Sequence, residues 1–230
     1  MKEQIKVIAF DADDTLWENE TYFRNSEEKF AMLLSDFMPP HDVNRALLRV
    51  EISNIPSLGY GVKSFIISMI EAAMEISDGR LHTDDIQRII QIGKDQLAKP
   101  VHLIDGVQEV LNRLQRKYRL VMATKGDLKE QESKLIKSGL EAYFHHIEIL
   151  SEKKEANYKK LISHLDVKPD QFLMIGNSLK SDIIPVLELG AYAVHVPFHT
   201  TWEYEKVESK IEHEKFSHIE DIKELLEILL

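Results

Sequence analysis

The chain has 230 residues, a formal net charge of -10 at pH 7 and no cysteine, and its length suits one large domain or a core with a smaller insert. The acidic balance argues against a nucleic-acid partner, and the lack of cysteine excludes disulfides, thiolate metal sites and a cysteine nucleophile. Because no apolar run is long enough to cross a bilayer and the N-terminus lacks a secretory apolar region, we expect a cytoplasmic protein with no membrane partner.

The first predicted strand, residues 5–10, runs directly into acidic residues that begin at Asp11. Burying these carboxylates would be costly without a compensating cation or ligand. If the extended geometry continues, Asp11 and Asp13 project from one side of the strand and Asp14 from the other. Two carboxylates in one pocket, with no thiol or imidazole nearby, favour Mg²⁺ as the bound ion.

These two acids also suggest a reaction. Asp11 could attack a phosphoryl group as a nucleophile, while Asp13 exchanges protons with the leaving group and then with water. The alternative is an ordinary turn, in which Asp and Thr side chains cap the following backbone groups.

A helical insert is predicted from residue 17 to residue 99. Apolar residues recur at helical spacing between Phe65 and Met74, and Thr83, followed by two acids, is typical of a capped helix start. Pro39-Pro40 and the segment Pro56 to Gly61 predict breaks between helices, and we expect Pro100 to close the insert. We interpret this stripe of methionine and aromatic residues as part of a packed core.

From Asp105 the pattern alternates between helix and strand, which is typical of a parallel sheet whose ligands lie at the carboxyl ends of the strands. Beyond these, we expect a helix from Ile183, a strand over 192–196, and a capping box of Ser217 and Glu220 before a terminal helix. The alternating elements are helix 106–117, strand 119–124, helix 128–138, strand 147–150, helix 157–165 and strand 172–175.

Three of these strands end in residues that could serve a phosphate or metal site. Thr124 and Lys125 follow one strand and offer a hydroxyl and backbone N–H groups for phosphate oxygens. Lys153 and Lys154 follow the next, and one of them could offset negative charge. The last runs into residues 176–182, where Asn177 and Asp182 could face a cation and Ser178 or Ser181 could cap a helix. Each segment taken singly also fits an ordinary turn or solvated surface residues.

Taken in order, the four segments resemble the haloacid dehalogenase superfamily. Its first motif, Asp-x-Asp-x-Thr, matches Asp11, Asp13 and Thr15, and its second matches Thr124. Its third, a lysine, matches Lys153 or Lys154, and we choose Lys153 because Tyr158 then falls near a following aromatic position. Its fourth matches residues 176–182, with Asn177 in place of the first acid.

The resemblance implies a Rossmann-like α/β core, residues 1–16 and 100–230, with a smaller helical cap, residues 17–99. It implies a Mg²⁺-dependent phosphatase that hydrolyses a small-molecule phosphomonoester through an aspartyl-phosphate. Asp11 and Asp13 would be catalytic, and phosphate would bind Thr124, Lys125 and Lys153. The metal would bind Asp11, Asp13, Asn177 and Asp182.

Other functions stay open. A phosphomutase of the same superfamily would share every motif, and a non-catalytic phosphate-binding or interaction module would fit the Asn177 departure. A dehalogenase is a weaker alternative, because those enzymes lack the second aspartate that Asp13 provides.

Overall fold

The computed structural model describes residues 3–230 and contains a sheet of six parallel strands. Their order across the sheet is β3-β2-β1-β4-β5-β6, so β1 lies between β2 and β4. The predicted α/β class with a parallel sheet is confirmed. The strands are β1 (Val7–Phe10), β2 (Arg119–Lys125), β3 (His146–Leu150), β4 (Phe172–Gly176), β5 (Tyr192–His195) and β6 (Phe216–His218).

Strand β1 is buried along its whole length, because helices cover both faces of a parallel sheet. Its side chains alternate between two apolar clusters. Ile8 and Phe10 pack into the cluster that includes α5 and α9, whereas Val7 and Ala9 pack into the cluster that includes α7 and α8. These four helices are α5 (Val107–Leu114), α7 (Glu155–His164), α8 (Ile184–Glu188) and α9 (Leu225–Leu229).

The chain divides into two compact units. The core unit holds the sheet and comprises residues 1–20, 101–125 and 131–230, and the helical unit comprises residues 21–100 and 126–130. Helix α6 (Leu128–Ser138) begins in the helical unit and continues in the core unit. The remaining helices are α1 (Glu20–Leu33), α2 (Pro40–Leu58), α3 (Val62–Ile76) and α4 (Thr83–Leu97).

The helical unit has its own apolar core, which α1 to α4 share. The helical spacing seen in the sequence of α3 buries Phe65, Met69 and Ala73. Gly93 of α4 permits close approach to α3, because a Cβ built there would stand 2.2 Å from Cγ1 of Ile66.

Of three local expectations, two agree with the structure and the last was wrong. The first strand ends at Phe10, directly before Asp11, as predicted. The predicted break in the segment Pro56 to Gly61 is present, since α2 ends at Leu58 and α3 begins at Val62, with Pro56 itself in the last turn of α2. Ser217 belongs to β6; the terminal helical segment is capped instead by Asp221, whose carboxylate accepts the N–H of Lys223 at 2.8 Å.

Within the described part of the chain, no helix is both long enough and apolar enough to span a membrane.

Candidate active site

The candidate site lies where the strand order reverses. Connections from β1 lead outward to β2 and β3 on one side, and β4, β5 and β6 follow on the other. In parallel sheets such a reversal opens a crevice outside the carboxyl ends of the strands, which here are β1 and β4. The segments that begin at Asp11 and Asn177 follow these two strands.

Asp11 is fixed at the end of β1. Its backbone N–H donates to the carbonyl of Ile175 at 2.8 Å, which continues the pairing of β1 with β4. Its carboxylate is buried, accepts the hydroxyl of Thr15 at 3.1 Å and pairs with the ammonium of Lys153. Burial raises the pKa of Asp11 to about 7; Lys153 opposes this rise and the charge of Asp182 adds to it. A cation near Asp11 therefore stabilises its ionised form.

Lys153 joins the acids at the ends of β1 and β4. Its ammonium contacts Asp11 and lies 2.6 Å from Oδ1 of Asp182. Burial opposes its charge, but these two acids outweigh burial and raise the pKa of Lys153 above its usual value. Lys154 has a side chain that is 73% exposed, so of the two candidate lysines only Lys153 reaches the acids.

Asp182 is held against the end of β4. Its Oδ2 accepts the N–H of Ser178 at 3.0 Å, and a Cβ built on Gly176 would stand 2.3 Å from the same oxygen. Only glycine leaves room for this carboxylate. Ser178 is the helix cap that the sequence predicted, since its hydroxyl accepts the N–H of Ser181 at 3.0 Å.

Thr15 connects the two acid-bearing segments. Its hydroxyl oxygen accepts the N–H of Asn177 at 3.1 Å and donates to Asp11. The carbonyl of Asn177 accepts a hydrogen bond from Nε2 of His195 at 2.9 Å. Burial lowers the pKa of His195, and the hydrogen bond to Asn177 opposes this shift. The Asn177 backbone is thus held from both sides.

Asp13 makes contacts that differ from those of Asp11. Its Oδ1 accepts the indole N–H of Trp17 at 2.7 Å, and its Oδ2 accepts the amide of Gln131 at 2.8 Å. The ammonium of Lys134 lies 3.0 Å from one carboxylate oxygen and 3.1 Å from the other. Three donors therefore fix the orientation of this carboxylate.

Asp14 has the capping role that the turn interpretation assigned to the acids. It adopts a left-handed backbone conformation with φ of 63°, which Asp tolerates better than most residues. Its carboxylate accepts the backbone N–H groups of Asn19 (2.8 Å) and Glu20 (3.0 Å) at the start of α1. Burial raises the pKa of Asp14 to about 7, and the Glu20 N–H opposes that rise.

Thr124 and Lys125 are the last two residues of β2, and they have different surroundings. Thr124 is buried. The ammonium of Lys125 pairs with Glu205 and lies 2.9 Å from the hydroxyl of Ser181. Burial favours the neutral form of Glu205, but Lys125 and hydrogen bonds from Ser178 and Ser181 lower its pKa. The charge of Lys125 is therefore largely balanced within the protein.

The sequence analysis did not identify several residues at or near the site, among them Gln131, Lys134 and Glu205. Gln131 and Lys134 lie three positions apart on α6 and hence on one helix face, which was the available signal. Glu205 lies in a loop after β5, where no periodicity singles it out.

The side chains at this site suit a hard divalent cation. Asp11 and Asp182 provide carboxylates, and Asn177 provides a neutral amide oxygen, without sulfur or imidazole ligands. Within residues 3–230 no three His, Asp or Glu side chains surround a common metal position. A bound Mg²⁺ would therefore need neutral oxygens, such as the backbone carbonyl of Asp13, beside the two carboxylates.

The mouse protein N-acylneuraminate-9-phosphatase is 28% identical over 128 residues, which are 54% of this chain. The chain spans about half the length of the curated relatives it matches (52%).

Solved structures cover nearly the whole chain. A haloacid dehalogenase-like family hydrolase from Xanthomonas campestris is 37% identical, with a TM-score of 0.88 over 98% of this chain and 92% of the other. A predicted phosphoglycolate phosphatase from Haemophilus somnus is 20% identical, with a TM-score of 0.60 over 99% of each chain, and so shows the fold alone. The family model for haloacid dehalogenase-like hydrolases matches residues 5–190. The chain therefore belongs to the haloacid dehalogenase-like hydrolases.

Proposed function

We propose that this hydrolase is a Mg²⁺-dependent phosphatase that acts on a small-molecule phosphomonoester in the cytoplasm. The observation that carries the proposal is the buried carboxylate of Asp11, placed at the end of the central strand against Lys153 and Thr15. A buried carboxylate beside a cation and a hydroxyl donor is suited to attack a phosphoryl group as a nucleophile. The name of the mouse relative supports a phosphorylated substrate.

In the first step Asp11 is the nucleophile. One carboxylate oxygen attacks phosphorus, and the bond from phosphorus to the ester oxygen breaks, with its electron pair leaving on that oxygen. Asp13 gives a proton to this oxygen, so the product leaves as a neutral alcohol. Asp11 now carries the phosphoryl group as an acyl phosphate, and Asp13 is a carboxylate.

In the second step water completes the reaction. Asp13 takes a proton from water, whose oxygen attacks phosphorus, and the bond from phosphorus to Asp11 breaks. Inorganic phosphate leaves, and both aspartates return to their starting states. The net change is ester plus water to alcohol plus phosphate.

The phosphate oxygens would be held by Thr124 and Lys153. Lys153 is already ionised and buried between two acids, so it offers positive charge in a region shielded from water. Lys125 was predicted to bind phosphate as well. Since Glu205 balances its charge, we assign it a smaller share of phosphate binding.

Asp11 and Asp182, with the Asp13 carbonyl and Asn177, would hold Mg²⁺. When bound, such an ion supplies Lewis-acid stabilisation of the negative charge on the phosphate oxygens. We also propose that the helical unit, close to the 17–99 insert predicted from sequence, acts as the cap that selects the leaving group.

The test is phosphate release from a panel of phosphomonoesters, with Mg²⁺ and then with a chelator. The panel holds sugar, nucleotide, small-acid and aryl esters, and it includes an N-acylneuraminate 9-phosphate. Wild type should release phosphate only with Mg²⁺. Asp11→Asn should remove release and still unfold in one cooperative thermal transition, while the exposed control Asp36→Asn should match wild type.

Each contrary result would have a different meaning. Transfer of the phosphoryl group back to a sugar phosphate, without net release, would indicate a phosphomutase. Binding of Mg²⁺ and phosphate without turnover of any ester would indicate the non-catalytic module. A fully active Asp11→Asn variant would overturn the assignment of the nucleophile.

A further inference from the structure

The carboxylate of Asp13 is surrounded by donors that the proposed reaction does not itself use. Trp17, Gln131 and Lys134 together occupy both of its oxygens. Asp13 is itself partly open to solvent, with a side chain that is 23% exposed. A flexible carboxylate at such a position would sample several rotamers unless it were held.

Lys134 holds the carboxylate and is itself held. Its ammonium contacts both oxygens of Asp13 and lies 2.7 Å from Oδ1 of Asn19. Its side chain is 18% exposed, so the pair is better shielded from water than a surface ion pair. Lys134 thereby fixes the position of the Asp13 carboxylate relative to Asn19.

Gln131 also contacts Asp13, and its surroundings determine which end of its amide group faces the carboxylate. Its side chain is buried, and its amide nitrogen lies 2.8 Å from Oδ2 of Asp13 and 3.3 Å from the carbonyl of Lys125. Turning the amide around would place its oxygen against two acceptors, which is unfavourable. The NH₂ group therefore faces Asp13.

We propose that Lys134 and Gln131 are positioning residues for Asp13, a role that rests on the proposed phosphatase function. They hold the Asp13 carboxyl group in one orientation. Neither touches the reacting atoms. Because proton transfer requires hydrogen-bond reach, loss of this support should slow the step in which the leaving group takes its proton.

The experiment compares two aryl esters of similar size, phenyl phosphate and 4-nitrophenyl phosphate. Phenoxide is the more basic leaving group and needs the proton more. In kcat/KM, which reports steps up to the first irreversible one, Lys134→Met should lose about tenfold to a hundredfold on phenyl phosphate and much less on 4-nitrophenyl phosphate. Gln131→Met should show the same preference, more weakly.

Three controls make the result specific. Lys137→Met, an exposed lysine on the same helix, should match wild type on both esters. Lys134→Arg should keep the wild-type ratio between the esters, because it retains the charge and the donors. Lys134→Met should cause no further loss in an Asp13→Asn background, since residues that act as a unit are not additive.

Contrary outcomes are distinct. Equal losses on the two esters, or a further loss in the Asp13→Asn background, would overturn the positioning role while the phosphatase function stands. If Lys134→Met fails to fold, Lys134→Arg and Gln131→Met decide by the same ratio. No phosphate release by wild type from any ester of the panel would overturn the proposed function, and this inference with it.

Discussion

Gly176 and Asp182 are in such close contact that the glycine cannot carry a side chain without moving the acid. A Cβ at position 176 would stand 2.3 Å from Oδ2, 2.4 Å from Cγ and 2.6 Å from Cβ of Asp182. Since the Asp182 Cβ is among these atoms, a change of rotamer would not relieve the overlap. The tight packing at the end of β4 thus determines where this carboxylate lies.

We therefore expect Gly176→Ala to reduce phosphatase activity sharply and to lower the free energy of unfolding by about 1–3 kcal/mol, the usual cost of overpacking. Displacing Asp182 would remove one of the two acids beside Lys153. Phosphate release and denaturant unfolding measure the two effects.

Gly139→Ala is the control for this change. Gly139 has φ of 70° and nothing within 4 Å of a built Cβ, so its substitution causes only backbone strain. It should lose about 1 kcal/mol and keep its activity. An active Gly176→Ala enzyme would show that the position of Asp182 is not critical.

Lys153→Met should both inactivate and destabilise the protein. Removing the ammonium leaves Asp11 and Asp182 buried without their shared cation, which typically costs about 3–5 kcal/mol. Loss of its charge from the phosphate site should lower kcat by about a hundredfold. Lys154→Met, at an exposed neighbouring position, should change neither quantity.

The same variant has a pH signature. Burial already raises the pKa of Asp11 to about 7, and Lys153 opposes that rise. Without Lys153 the folded state holds the Asp11 proton to higher pH than the unfolded state does, so stability falls more steeply as pH rises. The stability gap between wild type and Lys153→Met should therefore be larger at pH 8 than at pH 5. A gap independent of pH would contradict this coupling.

Glu205→Gln tests the balance of charge around Lys125. At pH 7 the variant should be less stable by about 2 kcal/mol, since it loses a charged, largely buried pair. The pKa of Glu205 is lowered from 4.5 in the folded protein. Its contribution is therefore present above that value and is lost as pH falls through the folded pKa.

The measurement is chemical denaturation of both proteins between pH 7 and pH 3. The difference in unfolding free energy should shrink below about pH 4.5, once Glu205 takes up its proton in wild type. Exposed Glu203→Gln, in the same loop, serves as the control and should show no such difference. A constant difference over the whole range would mean that the charge of Glu205 is not what stabilises this loop.

The positions of Asp11, Lys153 and Asp182 could be predicted because all three follow strands of one parallel sheet. Once the sequence alternates between strand and helix, the carboxyl ends of the strands must meet at one edge. The order of strands and helices along the chain is then sufficient to predict that residues from distant sequence positions lie close together. The same reasoning placed Thr124 and Asn177 at that edge.

The surroundings of Asp13 could not be predicted in the same way. They depend on where the first strand ends, at Phe10. They also depend on which face of α6 lies against the segment that contains Asp13. Helical spacing shows that Gln131 and Lys134 share a face, but it does not identify the neighbour of that face. The contacts of Glu205 are even harder to predict, because they depend on the path of a loop and not on a repeating sequence pattern.

The last prediction concerns the helical unit, where Gly93 faces Ile66. An alanine in a helix is normally more favourable than glycine by about 1 kcal/mol. Here its Cβ would stand 2.2 Å from Cγ1 and 2.3 Å from Cδ1 of Ile66, so Gly93→Ala should instead destabilise by about 1–3 kcal/mol. Ile66→Ala removes both overlapping atoms and leaves Val62 Cγ1, at 3.6 Å, in ordinary contact.

The double variant Gly93→Ala, Ile66→Ala should therefore be more stable than the sum of the single changes predicts, by about 1–2 kcal/mol in denaturant unfolding. Ile67→Ala is the matched control, since Ile67 lies next to Ile66 on α3 but is 41% exposed. Combined with Gly93→Ala it should give additive losses, because it does not meet the new methyl group. Additive losses for Ile66 as well would mean that α3 and α4 can move apart without cost, and that Gly93 is not needed for their close packing.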